Sequence, residues 1–481
     1  MISARLKVLA VLAAATASQI AHAYEVNAWP AAVIQKDPSG GTQSLSSLGP
    51  LLFSKPSPGP DAGRACGFRP FYVKWTGGDS TKTDILYPLF FYRQYPDSYK
   101  WSIFQLINGE GLDPGAINSG TPEDKHLDVW PFYFSRVTKD PSDTYHALLP
   151  IYGTIKERLG FDRLFWAPFP IYVDTFRKET RTVYVPWPFV RIVSGAAHGF
   201  GIWPLFGSTK GPGAESHSFY LWPFIWNNTS EAARDAPDGS VLPTHFGILP
   251  LYTRDTAPGQ ISENYLWPFF GYTEDTLPYR YSEQRYFWPF VVKGRGEREN
   301  RDRFGPFYTH SNVNGTESTW VMWPFWHKTT WDDGDVAQAK TQFFYFLYWS
   351  LDQSIPERPS IAHAYKRHIW PFVSIWDNGA GSRQVQAPSL CEVFFPDNPD
   401  MRETWTPLFA LYRRDHRPTG ETRNSILWSA VTWRRDDAGR LAEFHMGPLF
   451  GMRRRPAGES WSIFGFDLES KRAKMDQLTS R

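Results

Sequence analysis

Two acidic turns are the first groups in the sequence that could carry out chemistry. Residues 332–335 read DDGD, and clustered carboxylates of this kind resemble part of a calcium loop. The fuller loop and its terminal bidentate glutamate are missing, so a solvated hairpin tip is the favoured interpretation. The second acidic stretch, residues 392–400, is interpreted in the same way.

Catalytic motifs are absent from the sequence. It has no G-x-S-x-G elbow, no H-E-x-x-H zinc motif, no phosphate-binding glycine loop and no dinucleotide fingerprint. The 12 histidines are scattered singly, and His363 and His368 have no recognised metal-ligand spacing. Paired carboxylates could serve a glycoside hydrolase, but with 49 acidic residues such proximity is uninformative. The sequence therefore predicts a non-enzymatic protein without metal or cofactor, and a hydrolase is the third hypothesis.

Recurring tryptophans are the best candidates for a binding surface. If the tryptophans of successive repeats align, they form a strip that could stack on sugar rings or contact an apolar ligand. The competing interpretation makes them core or lipid-facing side chains, and it is favoured because aromatic residues supply large buried area. The strip comprises Trp187, Trp203, Trp222, Trp267, Trp288, Trp323 and Trp370.

These tryptophans belong to a repeat that dominates the chain. Words such as WPF, LPLY and GPFY recur from Pro70 to Pro448, commonly at intervals of 16 to 21 residues. Each apolar word is followed by a polar, turn-rich segment, in which Asn314-Gly315 is the strongest hairpin signal. Runs of β-branched and aromatic residues bounded by such turns predict strands. We therefore predict an all-β antiparallel meander of roughly twenty strands, built from repeats of about 18–20 residues.

Proline near the centre of most repeats leaves two interpretations of the strands. Proline deletes a ladder hydrogen bond, so it belongs at sheet edges, strand starts or bulges. In the first interpretation each strand runs through the word and proline marks a bulge, which predicts a large barrel or an open curved sheet. In the second, proline breaks the repeat into two short strands, which predicts a propeller-like array. The large barrel is preferred, because one repeat could hold the roughly 9–11 residues of a membrane-crossing strand.

Three segments lie outside the repeats. Residues 1–23 have the charged start, the short apolar stretch and the A-x-A site of a secretory signal peptide. Residues 24–66 are rich in glycine, serine and proline and predict an extended lead-in. Residues 67–466 are predicted to form a single repeat-built β domain, and residues 467–481 a polar C-terminal tail.

Charge and cysteine usage restrict the partners and the cross-links. Residues 1–23 carry two of the 51 basic residues and no acidic one, so 49 of each sign remain. This balance predicts no nucleic-acid binding. In an oxidising compartment Cys66 and Cys391 form a disulfide in one interpretation and stay as free thiols in the other.

These features predict an exported protein of the cell envelope. The preferred function is that of a non-enzymatic outer-membrane β-barrel with a structural or transport role, in contact with outer-membrane lipid. The alternative is a soluble periplasmic or extracellular β-repeat platform that binds a glycan, an apolar ligand or a protein partner.

Overall fold

The computed structural model divides the chain into two compact units. Unit 1 comprises Met1–Phe91 and Phe346–Arg481, and unit 2 comprises Tyr92–Tyr345. We predicted a single β domain over residues 67–466, whereas this division falls inside that range. The residues that the structure describes are 24–37, 39–56, 63–112, 124–230, 242–455, 458–464 and 466–468. The predicted signal peptide and nearly all of the predicted C-terminal tail lie outside them, so both stay predictions.

The strands of unit 1 come from both ends of the described chain. The first run pairs in order from β1 to β7, and the second pairs in order from β34 to β44. The first run consists of β1 (Tyr24–Ala28), β2 (Ala32–Lys36), β3 (Thr42–Ser47), β4 (Leu52–Pro56), β5 (Arg64–Phe68), β6 (Tyr72–Gly77) and β7 (Ser80–Ile85). The second run consists of β34 (Tyr348–Ser354), β35 (Ala364–Ile369), β36 (Val373–Asp377), β37 (Arg383–Ala387), β38 (Tyr412–His416), β39 (Thr422–Ile426), β40 (Val431–Arg435), β41 (Leu441–Met446), β42 (Phe450–Arg455), β43 (Gly458–Ile463) and β44 (Phe466–Leu468).

Unit 2 is an uninterrupted meander from β9 to β33, and β8 (Phe90–Gln94) crosses the boundary between the two units in sequence. Each strand pairs with the next one in the chain. The first part consists of β9 (Ser98–Ile103), β10 (Ile107–Leu112), β11 (Asp124–Val129), β12 (Tyr133–Thr138), β13 (Tyr145–Leu148), β14 (Tyr152–Arg158), β15 (Phe161–Trp166), β16 (Val173–Arg177), β17 (Thr180–Tyr184), β18 (Val190–Gly195), β19 (His198–Ile202), β20 (Phe206–Lys210) and β21 (Ser216–Tyr220). The second part consists of β22 (Ile225–Thr229), β23 (Thr244–Ile248), β24 (Tyr252–Ala257), β25 (Gln260–Tyr265), β26 (Phe270–Asp275), β27 (Tyr281–Tyr286), β28 (Val291–Gly296), β29 (Glu299–Phe304), β30 (Tyr308–Val313), β31 (Thr316–Val321), β32 (Trp326–Asp333) and β33 (Val336–Phe343).

The predicted all-β antiparallel meander is confirmed. All 44 strands belong to one antiparallel sheet. Among the described residues no pairing joins the last strand to the first, so the sheet is not closed by hydrogen bonds. The arrangement therefore corresponds to the open-sheet alternative rather than to a hydrogen-bonded barrel.

Each repeat contributes two strands, which is why the structure has 44 strands where we expected roughly twenty. The apolar word is itself a turn: residues 266–269 connect β25 to β26. The Trp267-Pro268 peptide bond is cis, as in a type VI turn. Because Pro268 lies outside both strands, it removes no ladder hydrogen bond. The structure therefore combines the short strands of the second interpretation, in which proline divides the repeat, with the open sheet named under the first.

Residues 24–66 are not an extended lead-in, which corrects the expectation from composition. They form β1 to β4 and begin β5, all within unit 1. Strand β1 buries Glu25 and Asn27 and lies against β41. Because the buried side chains of β1 are polar, this segment has no alternation of apolar residues that would predict a strand.

A helical segment between β37 and β38 interrupts the meander of unit 1. It contains a 3-10 turn (Glu392–Phe394), a π-helical turn (Met401–Trp405) and a short helix α1 (Thr406–Phe409). The sequence TPLF, which forms α1, falls within the predicted β repeats between Pro70 and Pro448, so this segment was not predicted. No helix among the described residues has the length and apolar character needed to cross a membrane.

Each unit has its own hydrophobic cluster. In unit 1 Trp405 of the helical segment packs against the buried side chains Phe53, Ala65, Val73 and Trp75. The cluster of unit 2 is formed by Tyr145, Ala147, Ile155, Trp166 and Val173. The first cluster joins distant parts of the chain, whereas the second is built from neighbouring strands.

Candidate functional site

The turns of unit 2 are apolar at one edge of its sheet and polar at the other. In a meander, alternate connections lie at opposite edges, because each strand reverses the chain direction. From β9 to β32, every connection that contains an apolar word lies at the same edge. We call this the apolar edge and define it by residues 104–106, 130–132, 149–151, 167–172, 185–189, 203–205, 221–224, 249–251, 266–269, 287–290, 305–307 and 322–325.

The opposite edge carries polar hairpins, and we call it the polar edge. Its described connections are residues 139–144, 159–160, 178–179, 196–197, 211–215, 258–259, 276–280, 297–298, 314–315 and 334–335. The acidic turn at residues 332–335 is one of these hairpin tips. Three large hydrophobic side chains, Leu159, Leu277 and Tyr279, are exposed on this edge.

Large apolar side chains are exposed at each of the twelve turns of the apolar edge. Phe287 is 60 % exposed and Trp323 is 57 % exposed. Neighbouring strands lie about 4.8 Å apart, so an apolar turn recurs roughly every 10 Å along the edge. Soluble monomers rarely expose contiguous apolar patches larger than a few hundred Å². An apolar edge of this length is therefore typical of an interaction surface.

Six members of the predicted tryptophan strip lie together on the apolar edge: Trp187, Trp203, Trp222, Trp267, Trp288 and Trp323. Five of them are exposed, and Trp203 is half-buried. The seventh, Trp370, lies in unit 1 in the turn between β35 and β36, where its Nε1 donates a hydrogen bond to the Leu390 carbonyl oxygen at 3.1 Å. The structure thus brings six members together, and ligand binding by the strip stays a prediction.

Rings from neighbouring turns contact each other along the apolar edge. The centroids of Trp203 and Trp222 are 5.9 Å apart, with their planes at 47°. Phe189 lies 5.9 Å from Trp203, and Phe169 lies 5.4 Å from Trp187. These tilted contacts are the ordinary packing geometry of aromatic side chains. They account for the alignment of the tryptophans without a ligand.

Tyrosine beside the apolar edge supplies a polar group that stays neutral. Tyr265 is 46 % exposed and donates a hydrogen bond to Glu263 Oε2 at 2.5 Å. This bond raises the pKa of Tyr265 to about 12 and lowers the pKa of Glu263. A neutral phenol next to the apolar turn at residues 266–269 is an amphipathic group, suited to the boundary between water and lipid.

Two buried carboxylates of unit 1, Glu403 and Asp415, are ion-paired, which disfavours a role as general acid for either of them. Gln384 Nε2 donates to Glu403 Oε1 at 3.1 Å and to Asp415 Oδ1 at 2.7 Å. Burial acts to raise the pKa of both carboxyls, but Arg413, together with Lys55 at Glu403, outweighs it and holds both pKa values low. A hydrolase needs one carboxyl with a raised pKa, and in this unit burial raises the pKa of Glu392 and of Glu443 instead.

Sequence reasoning did not find this ion-paired cluster. Lys55 lies in the expected lead-in, and its partner Glu403 is 348 residues away in the sequence. Neither residue belongs to a motif, so no signal in the sequence could have joined them.

The other chemical candidates do not assemble into a site. Within the described part of the chain, no group of three or more His, Cys, Asp or Glu side chains could hold a metal ion. His363 is exposed and His368 is buried. In the second acidic stretch, Glu392 is buried and accepts a hydrogen bond from Ser374 at 2.6 Å.

Both cysteines of unit 1 are free thiols in the structure. Cys66 and Cys391 are each half-buried, and burial raises the pKa of the Cys391 thiol. Formation of a disulfide between them in an oxidising compartment stays a prediction.

Comparison with known proteins adds no relative. No protein-family model matches the chain, and a search of curated proteins finds no significant match. A function has therefore to be inferred from the described residues themselves.

Proposed function

We propose that the protein is an exported, non-enzymatic protein of the cell envelope that associates with outer-membrane lipid through the apolar edge of unit 2. Its role would be structural, or would assist the transport of an apolar molecule along the membrane surface. The observation that carries this proposal is the placement of twelve exposed apolar turns on one edge of a single meander.

Strand length favours contact at the edge over strands that cross the bilayer. The strands of unit 2 contain four to eight residues, whereas a membrane-crossing strand needs about 9–11. A strand of six residues spans only about 20 Å. The apolar turns, by contrast, place exposed aromatic side chains at the edge of the sheet. Tryptophan and tyrosine are enriched at the boundary between headgroups and acyl chains.

The polar edge explains why the association would be one-sided. Its hairpins contain charged residues such as Lys178, Glu179 and Asp140, and charged groups are costly to transfer into hydrocarbon. Lipid is therefore expected at one edge of the sheet, with water at the other.

Vesicle flotation tests the proposal with paired variants. The purified protein is mixed with vesicles of phosphatidylethanolamine and phosphatidylglycerol, and the floated fraction is measured. Trp222→Ser combined with Phe224→Ser removes two exposed side chains from one turn, and we expect partitioning to fall at least about tenfold. Lys178→Ser combined with Glu179→Ser alters a polar hairpin instead and should leave partitioning unchanged.

Fractionation of the expressing cell gives a second readout. Recovery in outer membranes supports the proposal, whereas recovery as a soluble protein that does not float with vesicles would refute it and favour the soluble platform. Self-association that the double serine variant abolishes, without flotation, would assign the apolar edge to contacts between copies and would also refute lipid binding.

A further inference from the structure

A shallow cavity of about 400 Å³ lies on one face of the unit 2 sheet, beside the apolar edge. It is built by the three consecutive strands β25, β26 and β27. Tyr265 and Tyr286 line the cavity, and each directly precedes an apolar turn, whereas Phe270 lines it and directly follows one. The volume falls within the range of about 300–1,000 Å³ that is typical of small-molecule sites.

The strand register places seven of the nine lining residues on the same face of the sheet. Residues that pair directly across two strands project to one face, and so do residues two apart within a strand. The cavity therefore presents four aromatic rings, one carboxylate, one amide and one hydroxyl. In their cross-strand groups these seven are Tyr265, Phe270 and Tyr286, then Tyr272 and Gln284, then Glu274 and Ser282.

Arg285 also borders the cavity, but its side chain lies on the opposite face of the sheet. Its Nη1 donates to Thr273 Oγ1 at 2.7 Å and to Glu283 Oε1 at 2.9 Å, and both of these partners alternate along their strands with the residues of the cavity face. On the cavity face itself, the row that contains Gln284 continues to Lys293 in β28, which lies outside the lining. The wall thus presents no cationic side chain to the cavity.

Glu274 gives the wall a negative charge. Its side chain lies at an exposed position of β26, and among the described residues no Lys, Arg or His nitrogen lies within 4 Å of its carboxyl oxygens. Desolvation, a hydrogen bond with Glu263 and the charges of Glu263 and Glu274 raise the pKa of Tyr272, so this phenol stays neutral. A wall with one unpaired carboxylate attracts cations.

The tyrosines of the cavity offer their rings to a ligand, because their hydroxyls are already engaged. Tyr265 donates to Glu263 Oε2 at 2.5 Å, and Tyr272 bonds to the same carboxylate. Tyr286 donates to Gln284 Oε1 at 3.1 Å. A phenol that donates to a carboxylate becomes richer in electrons, which strengthens the attraction between its ring and a cation.

Aromatic rings beside a carboxylate are the combination that recognises quaternary ammonium groups. The methyl groups of such a cation contact the rings and require no hydrogen-bond acceptor. A primary ammonium, by contrast, has three donors to satisfy. Since Glu263 and Gln284 already accept hydrogen bonds from tyrosines, few acceptors remain for it.

We propose that this cavity binds a trimethylammonium group of the kind that choline carries. The group would contact the rings of Tyr265, Tyr272 and Tyr286, and the carboxylate of Glu274 would balance its charge. It can belong to a soluble compound or to a lipid headgroup. The inference does not rest on lipid binding by the apolar edge, since a soluble ligand would use the same cavity.

Titration calorimetry of the purified protein at pH 7 tests the proposal with choline and with 3,3-dimethylbutan-1-ol, its neutral isostere. The two probes have the same shape and the same hydroxyl, so a difference between them reports the charge. We expect choline to bind at least about tenfold more tightly. Tyr286→Leu should weaken choline binding about 3- to 30-fold through the loss of one cation–π contact, and Glu274→Gln should also weaken it.

Two matched controls lie on the same face, outside the cavity. Tyr308 is 43 % exposed and belongs to the same cross-strand row as Tyr286, so Tyr308→Leu removes an equivalent ring. Glu317 belongs to the same row as Glu274, so Glu317→Gln removes the same charge. Both controls should leave the affinity for choline unchanged.

Vesicle flotation identifies the source of the trimethylammonium group. A rise in the floated fraction when phosphatidylcholine replaces phosphatidylethanolamine, abolished by Tyr286→Leu, would assign the cavity to a lipid headgroup. Choline binding without this rise would assign it to a soluble compound.

The proposal is overturned if choline binds no more tightly than its isostere, or if either control weakens binding as much as its matched cavity variant. Because the calorimetry contains no vesicles, these outcomes are independent of the flotation test of the apolar edge.

Discussion

Units 1 and 2 are made from the same repeat but are held together over different distances along the chain. In unit 2, the exposed ion pair between Arg295 and Asp302 joins residues seven apart. In unit 1, buried ion pairs join Lys55 to Glu403, 348 residues away, and Glu25 to Arg423, 398 residues away. The same repeat therefore forms both a meander with local contacts, in unit 2, and a structure in which long-range contacts join distant parts of the chain, in unit 1.

The difference predicts two kinds of unfolding. In arrays where each element contacts only its neighbours, stability is a sum of local terms and damage stays local. Where distant segments share one buried cluster, a destabilising substitution in any of them lowers the stability of all of them. Unit 2 should therefore respond to substitutions locally, and unit 1 should respond as a whole.

A second buried cluster strengthens the long-range character of unit 1. Glu443 is almost fully buried and lies 2.8 Å from Arg453, while the backbone nitrogen of Glu25 donates to Glu443 Oε2 at 3.2 Å. Burial raises the pKa of Glu443 even though arginines oppose the shift. Strand β1 is thus held against the second strand run by a hydrogen bond and an ion pair as well as by packing.

The largest expected effect is that of Glu403→Gln. This variant leaves the buried cations Lys55 and Arg413 without one carboxylate, and breaking a buried pair costs about 3–5 kcal/mol. Urea denaturation should show the loss, and hydrogen exchange should speed up in both strand runs of unit 1. Asp302→Asn in unit 2 is the control: its pair with Arg295 has a distance of 2.8 Å but is exposed, so the cost should be about 0–1 kcal/mol. Equal costs for the two variants would contradict the comparison.

Acid sensitivity should also differ between the units, because the buried histidine His368 lies in unit 1. His368 in unit 1 is 2 % exposed, and neither ring nitrogen has a hydrogen-bond partner among the described residues. Burial, together with the charges of Lys366 and Arg402, lowers the pKa of His368 to about 4. Between pH 6.5 and pH 4 the unfolded chain binds a proton that the folded chain does not. The free energy of unfolding should therefore fall by about 3 kcal/mol as the pH falls through this window.

His368→Leu should remove most of this pH dependence and leave stability at pH 7 equal or higher, since an unpartnered buried polar group is lost. The matched variant in unit 2 is His327→Leu. The ring of His327 bonds to Gln342 at 3.2 Å and to Ser318 at 3.0 Å, so this change should cost about 1 kcal/mol at pH 7. Urea denaturation at pH 4.5 and pH 7 measures both variants. An unchanged pH dependence in His368→Leu would rule out the assigned role.

Apart from the controls, the smallest effect is expected from Ile155→Val in the cluster of unit 2. Ile155 is 3 % exposed, and removal of one methylene from a core costs about 0.5–1.5 kcal/mol. Hydrogen exchange should speed up in β13 to β16 and remain unchanged in β28 to β33. In Val73→Ala of unit 1 it should instead speed up as far away as the helical segment, because Trp405 packs on the same cluster. A global change in the Ile155→Val protein would contradict local unfolding in unit 2.

The repeat and its β structure could be predicted because each strand pair is encoded locally. Asn314-Gly315 forms a hairpin turn with positive φ at both residues, as its sequence predicts. The six strip tryptophans of unit 2 share an edge for the same reason: each is fixed by its own turn. What could not be predicted depends on residues far apart. Glu25 and Lys55 lie in a segment without apolar periodicity. The partner of Glu25 is Arg423 in β39, and the partner of Lys55 is Glu403 in the helical segment.

The alternation of turns in unit 2 has a consequence for how such a chain can change its length. A duplication of one repeat adds two strands, so every later turn keeps its edge, and the apolar edge grows by about 10 Å. An insertion of a single strand would reverse the parity and move every later tryptophan to the polar edge. Growth in even steps therefore preserves the apolar edge, and the length of this surface can be set by the number of copies alone.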